Sequence, residues 1–222
     1  MSRSIVQQLV RKDLVLMKAP LLLYWLGGAL SVLVVILLGQ FMAGMILFVT
    51  CLAGAGMHPS MLTVLDERRE RVLPFIMSLP ITVREYTRAK LIVNVGAYGV
   101  VWGSLSAAAL VIFLGPEGMD AGKLPFVVIC LVGILLGCTI VLAVGLVTGS
   151  LGPVVGAIVG ANLFTQIFLW WVVDLAGIHD FLGSDIAVWN ATALTVLGGQ
   201  LAAIAALIAG TYVLQARKTD FP

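Results

Sequence analysis

The sequence predicts an all-α integral membrane fold with six transmembrane helices and an N-terminal amphipathic interfacial helix. Three observations carry this prediction: the composition, the lengths of the apolar runs and the partition of the cations. Of the 222 residues, 61% are hydrophobic and 11% are charged, whereas a typical soluble domain is about 25% charged. Because a span needs roughly 20 apolar residues, residues 1–222 are predicted to form one transmembrane domain with short loops.

The first part of the chain, 1–20, is predicted to be a helix lying in the membrane interface. On a helical projection its apolar side chains share one half of the circle, and Arg11, Lys12 and Lys18 lie on the other. Helices that lie along lipid head groups show this pattern. Asp13 interrupts the apolar face. A turn is favoured at Pro20, and the alternative is a cytosolic extension of the first span.

The apolar runs define six spans separated by short breaks. Gly39-Gln40 is short enough to make spans 1 and 2 an antiparallel hairpin. Span 3 opens with Thr82 and Glu85, which fit a capping box. Its helix is longer than the hydrocarbon core, so its first two turns are expected to stand in water. The domain divides into the interfacial helix 1–20, spans 1 and 2 in 21–65, a charged segment 66–90, spans 3 to 6 in 88–214 and a tail 215–222.

The cations are partitioned between the two faces of this six-span arrangement. Twelve of the 13 Lys and Arg residues fall in the N-terminal helix, the segment 66–90 and the tail. Lys123 alone falls in the opposite loops, together with five acidic residues. Because cytoplasmic loops carry the excess of Lys and Arg, both termini and the segment 66–90 are predicted to be cytoplasmic.

The segment 66–90 is the one densely charged stretch of the chain. It holds six cations and four acidic residues around an apolar island, 72–81. An apolar island of this size without a membrane face favours a protein-binding surface over a solvated loop.

The predicted spans contain no Asp, Glu, Lys or Arg, which argues against an ion-coupled or proton-coupled transporter. Gly122-Lys123 lacks the upstream glycine of a phosphate-binding loop. No residue is assigned as catalytic, cofactor-binding or metal-binding, and the three cysteines are interpreted as packing residues. We therefore expect no enzyme activity in this chain itself, and a separate subunit would supply energy for uphill transport.

Span 5 carries small residues at four-residue spacing, namely Gly152, Gly156 and Gly160. Such rows let helix backbones approach closely, either within one chain or between two copies. The same span then carries four residues that are candidates to line a pathway: Asn162, Phe164, Gln166 and Phe168. Hydrogen bonding between helices is the alternative role for its polar members.

The segment between spans 2 and 3 has a recognisable pattern. A charged end of span 2 leads into an apolar stretch that closes on Ser-Leu-Pro, and a Thr, an Arg and an Ala-Lys pair then open span 3. Here these elements are Glu67 to Arg71, Leu73 to Leu79, Ser78-Leu79-Pro80, Thr82, Arg84 and Ala89-Lys90. Together with the six-span layout, the pattern resembles the membrane permease subunits of type-2 ATP-binding-cassette (ABC) exporters. Pro74 departs from it and either shortens the apolar helix or forms its first residue.

The resemblance implies that the segment is a cytoplasmic coupling helix docking into a groove on a separate cytosolic ABC ATPase. Two ATPase subunits, which carry ATP and Mg, and a second permease copy or paralogue would complete the unit in a bacterial or archaeal plasma membrane. No nucleic-acid partner is expected. Apolar anchors and charged pairs would set the docking, and the residues assigned to it are Glu67, Arg68, Glu70, Arg71, Leu73, Phe75, Ile76, Leu79 and Arg84.

The identity of the cargo is open at this stage, although the uncharged, aromatic-rich spans favour a hydrophobic or amphipathic molecule. Two other functions are alternatives. One is a membrane scaffold or sensor whose charged loop recruits a signalling partner. The other is a membrane-embedded enzyme, which lacks a nucleophile and base within the spans.

Overall fold

The computed structural model describes residues 2–69, 82–114 and 121–217. Within these ranges the chain is helical, and six of the helices are long and apolar enough to cross a membrane. In chain order the elements are α1 (Ser2–Leu38), α2 (Phe41–Arg69), α3 (Val83–Leu114), a 3-10 turn (Ala121–Lys123), α4 (Leu124–Thr148), α5 (Leu151–Val173), the short α6 (Ala176–His179) and α7 (Ala191–Ala216). The six predicted spans are therefore confirmed as helices, except that the helix containing span 1 begins at Ser2 rather than near residue 21.

Helix α1 continues through Pro20 without interruption, so the turn predicted there is wrong. The alternative, an extension of the first span, is what the structure has. A proline inside a helix costs about 3 kcal/mol, and tertiary packing offsets that cost here. Leu9, Asp13, Met17 and Leu21 recur every four residues and form one buried stripe. Met17 and Leu21 of this stripe belong to the central core.

The start of α3 is fixed by the predicted capping box. The Thr82 amide donates to Glu85 Oε2 at 2.9 Å, and the Glu85 amide donates to Thr82 Oγ1 at 3.2 Å. These reciprocal bonds satisfy amides that the first helical turn leaves unpaired.

Two glycines end helices in the left-handed conformation. Gly39 has φ +64° after α1, and Gly149 has φ 60° after α4. The Gly149 amide donates to Gly145 O at 2.9 Å. Glycine adopts this conformation without a Cβ penalty, so each position allows the chain to reverse into the next span.

Helix α4 is the most buried of the six spans, and α5 and α7 are the most peripheral. The central core joins α1, α2, α3 and α4 around Leu52, Val93, Leu105 and Leu131. Cys51 packs against Gly27 and Cys138 against Gly56, in keeping with the interpretation of these cysteines as packing residues. Exposed apolar side chains of α5 and α7 face outward from the bundle, as lipid-facing helices require.

Helices α1 and α3 are longer than a membrane is thick. They contain 37 and 32 residues, which correspond to about 55 and 48 Å at 1.5 Å per residue. The hydrocarbon core is about 30 Å thick, so one end of each helix projects beyond it. These projecting ends meet the end of α2 and form the base of the bundle.

Candidate functional site

Four charged side chains converge at the base of the bundle, where α1, α2 and α3 meet. The Lys90 ammonium lies 2.8 Å from Asp13 Oδ2 and 2.8 Å from Glu67 Oε1. Lys12 forms ion pairs with Glu67 and, at 3.4 Å, with Asp13. The side chains of Lys90, Asp13 and Glu67 are 1%, 0% and 6% exposed. We call these four residues the basal ion cluster.

The basal ion cluster follows from helical spacing on each element. Asp13 lies on the buried stripe of α1 between Leu9 and Met17. On α3, Tyr86 and Lys90 are four residues apart and share one face. The Tyr86 hydroxyl donates to Glu67 Oε2 at 2.8 Å, and its ring centroid lies 5.3 Å from the Lys90 ammonium. Each carboxylate therefore faces a cation, and two cations balance two carboxylates among the side chains that the structure describes here.

Because the basal ion cluster is buried, each of its charges needs an oppositely charged partner to remain ionised. Removing charges from water costs several kcal/mol per ion, and only well-placed partners repay it. Burial alone would raise the pKa of Glu67, but the charge of Lys90 and hydrogen bonds from Lys12 and Lys90 outweigh it. The pKa of Glu67 is therefore held below its ordinary value, and the carboxylate stays charged at neutral pH.

A second polar contact joins α2 and α3 next to the cluster. Asn94 Nδ2 donates to Lys90 O at 2.9 Å and to Thr63 Oγ1 at 3.1 Å. All three residues are buried. The ends of the two helices that flank residues 70–81 are thus held together by both ionic and amide contacts.

Further into the membrane, helix α5 separates two cavities. Asn162 and Gln166 line a cavity of about 470 Å³ between α2, α4 and α5. Phe164 and Phe168 line another of about 330 Å³ between α4, α5 and α7. Between the two, α4 touches α5 where a Cβ at Gly137 would lie 3.8 Å from Ala161 Cβ. The four candidate pathway residues therefore do not share one lining.

The glycine row of α5 faces no other part of the described chain. A Cβ added at Gly152, Gly156 or Gly160 would meet nothing within 4 Å, and all three residues are exposed. Packing of this row within one chain, the first alternative above, is therefore wrong for the described residues. The second alternative, contact with another copy, stays a prediction.

Comparison with known families decides the class of protein. The family described as ABC-2 family transporter protein matches residues 8–217, which include all six spans and the basal ion cluster. The chain belongs to this family. It is thus a multi-pass permease subunit of an ABC transporter, and the family implies ABC ATPase subunits as partners. Searches of curated proteins and of solved structures found no significant match.

The docking residues expected of an ABC-2 permease are distributed unevenly in the structure. Arg84 is exposed on the first turn of α3. Glu67 faces inward, because its carboxylate belongs to the basal ion cluster. The other assigned positions lie outside the described residues or have undescribed side chains: Arg68, Glu70, Arg71, Leu73, Phe75, Ile76 and Leu79.

Two features of this ABC-2 permease were not predicted from its sequence. The first turns of α3 do not simply stand in water, because Tyr86, Thr87 and Ala89 are buried against other helices. The pairing of Asp13 with Lys90 was also missed. Its one signal in the sequence is the position of Asp13, an acid in the middle of an apolar helical face.

Proposed function

We propose that this permease serves an ATP-driven exporter, with two separate cytosolic ABC ATPase subunits docking on the segment 66–90. A second permease copy or paralogue completes the translocation unit, and both termini are cytoplasmic in a bacterial or archaeal plasma membrane. The observation that carries the proposal is the basal ion cluster, because it ties both flanks of that segment to α1.

The cluster supplies a mechanical link from the segment to the spans. Glu67 lies at the end of α2 and Lys90 near the start of α3, so they bracket the segment in sequence. Asp13 and Lys12 extend the link to α1. A displacement of the segment by an ATPase would therefore move three spans together rather than bend one loop, as in rigid-body switching transitions.

The apolar anchors of the segment remain in the proposed docking surface, whereas Glu67 is removed from it. Glu67 is engaged inside the bundle, so we give it the role of holding the segment rather than touching the ATPase. The anchors are those of a helix lying in a groove, with flanking charges setting its register. The proposed docking residues are Arg68, Glu70, Arg71, Leu73, Phe75, Ile76, Leu79 and Arg84.

We further propose that the cargo is hydrophobic or amphipathic and passes along the α2–α5 side of the bundle. The cavity on this side is mainly apolar and carries amide groups from Asn162 and Gln166. Asn162 Nδ2 donates to Ile158 O on its own helix at 2.8 Å, which leaves its amide oxygen as an acceptor for cargo. The exposed row of Gly152, Gly156 and Gly160 is proposed as the contact with the second copy.

Affinity purification tests this function directly. The tagged full chain, extracted from its native membrane in mild detergent, should recover ABC ATPase subunits that mass spectrometry identifies by their nucleotide-binding motifs. Phe75→Asp should abolish recovery because a carboxylate cannot occupy an apolar groove.

The matched control is Ile186→Asp, which places the same charge at an exposed apolar position in the loop on the opposite face. It should leave recovery unchanged. Recovery of no ATPase by the wild-type chain, or of a signalling protein in its place, would support the scaffold alternative and overturn the proposal.

A further inference from the structure

The cavity between α4, α5 and α7 contains a buried amide that is only half satisfied. Gln200 is 4% exposed and lines this cavity of about 330 Å³. Its Nε2 donates to Ile129 O at 3.1 Å, which fixes the orientation of the amide. Its Oε1 is buried and accepts no hydrogen bond from any part of the chain that the structure describes. A buried acceptor without a donor is costly, and more so where lipid replaces water.

The cavity is elongated and lies in the half of the bundle away from the basal ion cluster. Along α7 it extends from Thr195 to Ala203, which is about 12 Å at 1.5 Å per residue. Trp171 bounds it near the end of α5. This length is close to half of a hydrocarbon core of about 30 Å, the depth reached by one acyl chain of one leaflet.

The two walls of the cavity differ in side-chain size. On one side the Phe164 and Phe168 rings stack with centroids 5.8 Å apart, and Trp171 continues the row at 6.0 Å. On the other side Gly133 and Gly199 provide space in place of side chains, and a Cβ at Gly199 would meet nothing within 4 Å. A flexible hydrocarbon chain fits a channel with one aromatic wall and an opposite wall of glycines and aliphatic side chains.

The unpartnered amide oxygen of the cavity lies partway along it, because the lining continues along α7 three residues beyond Gln200 to Ala203. Gln200 is in the α7 segment that begins at Ala191, about 13 Å from that end of the helix at 1.5 Å per residue. A donor that reaches its Oε1 must therefore sit partway along a chain that enters from the end of the bundle. Thr165, which also lines the cavity, already donates to Ala161 O at 2.7 Å.

We propose that this cavity binds a hydroxylated acyl chain, with the hydrocarbon against the aromatic wall and a mid-chain hydroxyl donating to Gln200 Oε1. The site lies on the other side of the α4–α5 contact from the cavity of Asn162 and Gln166, and ligand binding there requires no ATPase. Its existence is therefore independent of the proposed export function.

Binding of 12-hydroxystearate and stearate to the purified full chain tests the proposal, because the two acids differ only in the mid-chain hydroxyl. Native mass spectrometry and competition against a photoactivatable fatty acid provide the affinities. The wild-type chain should bind the hydroxylated acid about tenfold more tightly, the ratio expected for one hydrogen bond to a buried acceptor. Equal affinities, or binding of neither acid, would overturn the proposal.

Two pairs of variants separate recognition from general lipid adhesion. Gln200→Leu should abolish the preference for the hydroxyl while retaining stearate binding, and Gln166→Leu in the other cavity should keep the preference.

Gly199→Leu should fill the cavity and weaken binding of both acids. Its neighbour Gly198→Leu, which also meets nothing within 4 Å but does not line the cavity, should bind both normally. A preference that persists in Gln200→Leu, or unaltered binding in Gly199→Leu, would contradict the assignment.

Discussion

The Lys90 ammonium lies 2.8 Å from Asp13 Oδ2, although 77 residues separate the two in sequence. Both side chains are almost fully buried. This pair joins the first part of α1 to the first part of α3, next to the segment that we propose receives the ATPase. The N-terminal part of α1 therefore packs into the base of the bundle through Asp13, and it also faces the membrane.

Removing the cation of this pair should destabilise the protein. Lys90→Met leaves Asp13 buried without its nearest partner and deprives Glu67 of one of two cations. Loss of one member of a buried ion pair typically costs about 3–5 kcal/mol. We expect a markedly lower melting temperature in detergent, measured by thermal unfolding of the purified chain.

Two further variants test whether charge pairing is the cause. Arg88→Met removes an exposed cation from the same helix and should change the melting temperature little. The double variant Asp13→Leu with Lys90→Met should recover part of the stability, because it removes the buried carboxylate that Lys90→Met leaves unpaired and keeps the pair of Lys12 with Glu67. A double variant no more stable than Lys90→Met would show that the unpaired charge of Asp13 is not the cause of the destabilisation.

The stability contributed by Glu67 should depend on pH in one direction. Lys90 and Lys12 hold the pKa of Glu67 below its ordinary value of 4.5, so the folded state favours the charged carboxylate. The contribution is fully present above pH 4.5 and is lost as pH falls below that value through the folded pKa. The difference in melting temperature between wild type and Glu67→Gln should therefore be constant near neutral pH and shrink only under acid conditions. A difference that already disappears between pH 7 and 6 would contradict this account.

The glycine row of α5 should matter for assembly rather than for the fold of one chain. Gly156→Leu adds a side chain where the described chain has open space, so the melting temperature of the monomer should be retained. If the row contacts a second copy, cross-linking in native membranes should show fewer permease pairs. Gly56→Leu is the contrasting variant, because its side chain would clash with Cys138 and Tyr98 and should destabilise the chain itself. Normal pairing of Gly156→Leu would remove the row from the proposed interface.

The sequence was sufficient for the spans because their signals are local. Apolar run length located each helix, Gly39 marked the end of α1, and the Thr82–Glu85 box marked the start of α3. The continuity of α1 through Pro20 could not be predicted, because packing of Met17 and Leu21 outweighs a local preference for a turn.

The site was less predictable because it depends on tertiary contacts. No local pattern links Asp13 to Lys90. Glu67 lies in a run of charged residues that is typical of a protein surface. The division of α5 could have been anticipated, since Asn162 and Phe164 are two positions apart and point about 200° away from each other on a helix. Helical periodicity therefore places Asn162 and Gln166 on one face of α5 and Phe164 and Phe168 on another.

The most direct test of the central claim is the ATPase rate of the permease and its ATPase subunits reconstituted together in proteoliposomes. If the segment 66–90 couples the two, Phe75→Asp and Glu70→Lys should reduce the rate to that of the ATPase alone. Both variants should keep the wild-type melting temperature, and Ile186→Asp should keep the wild-type rate. Full permease-dependent stimulation of the ATPase by a folded Phe75→Asp variant would contradict the account.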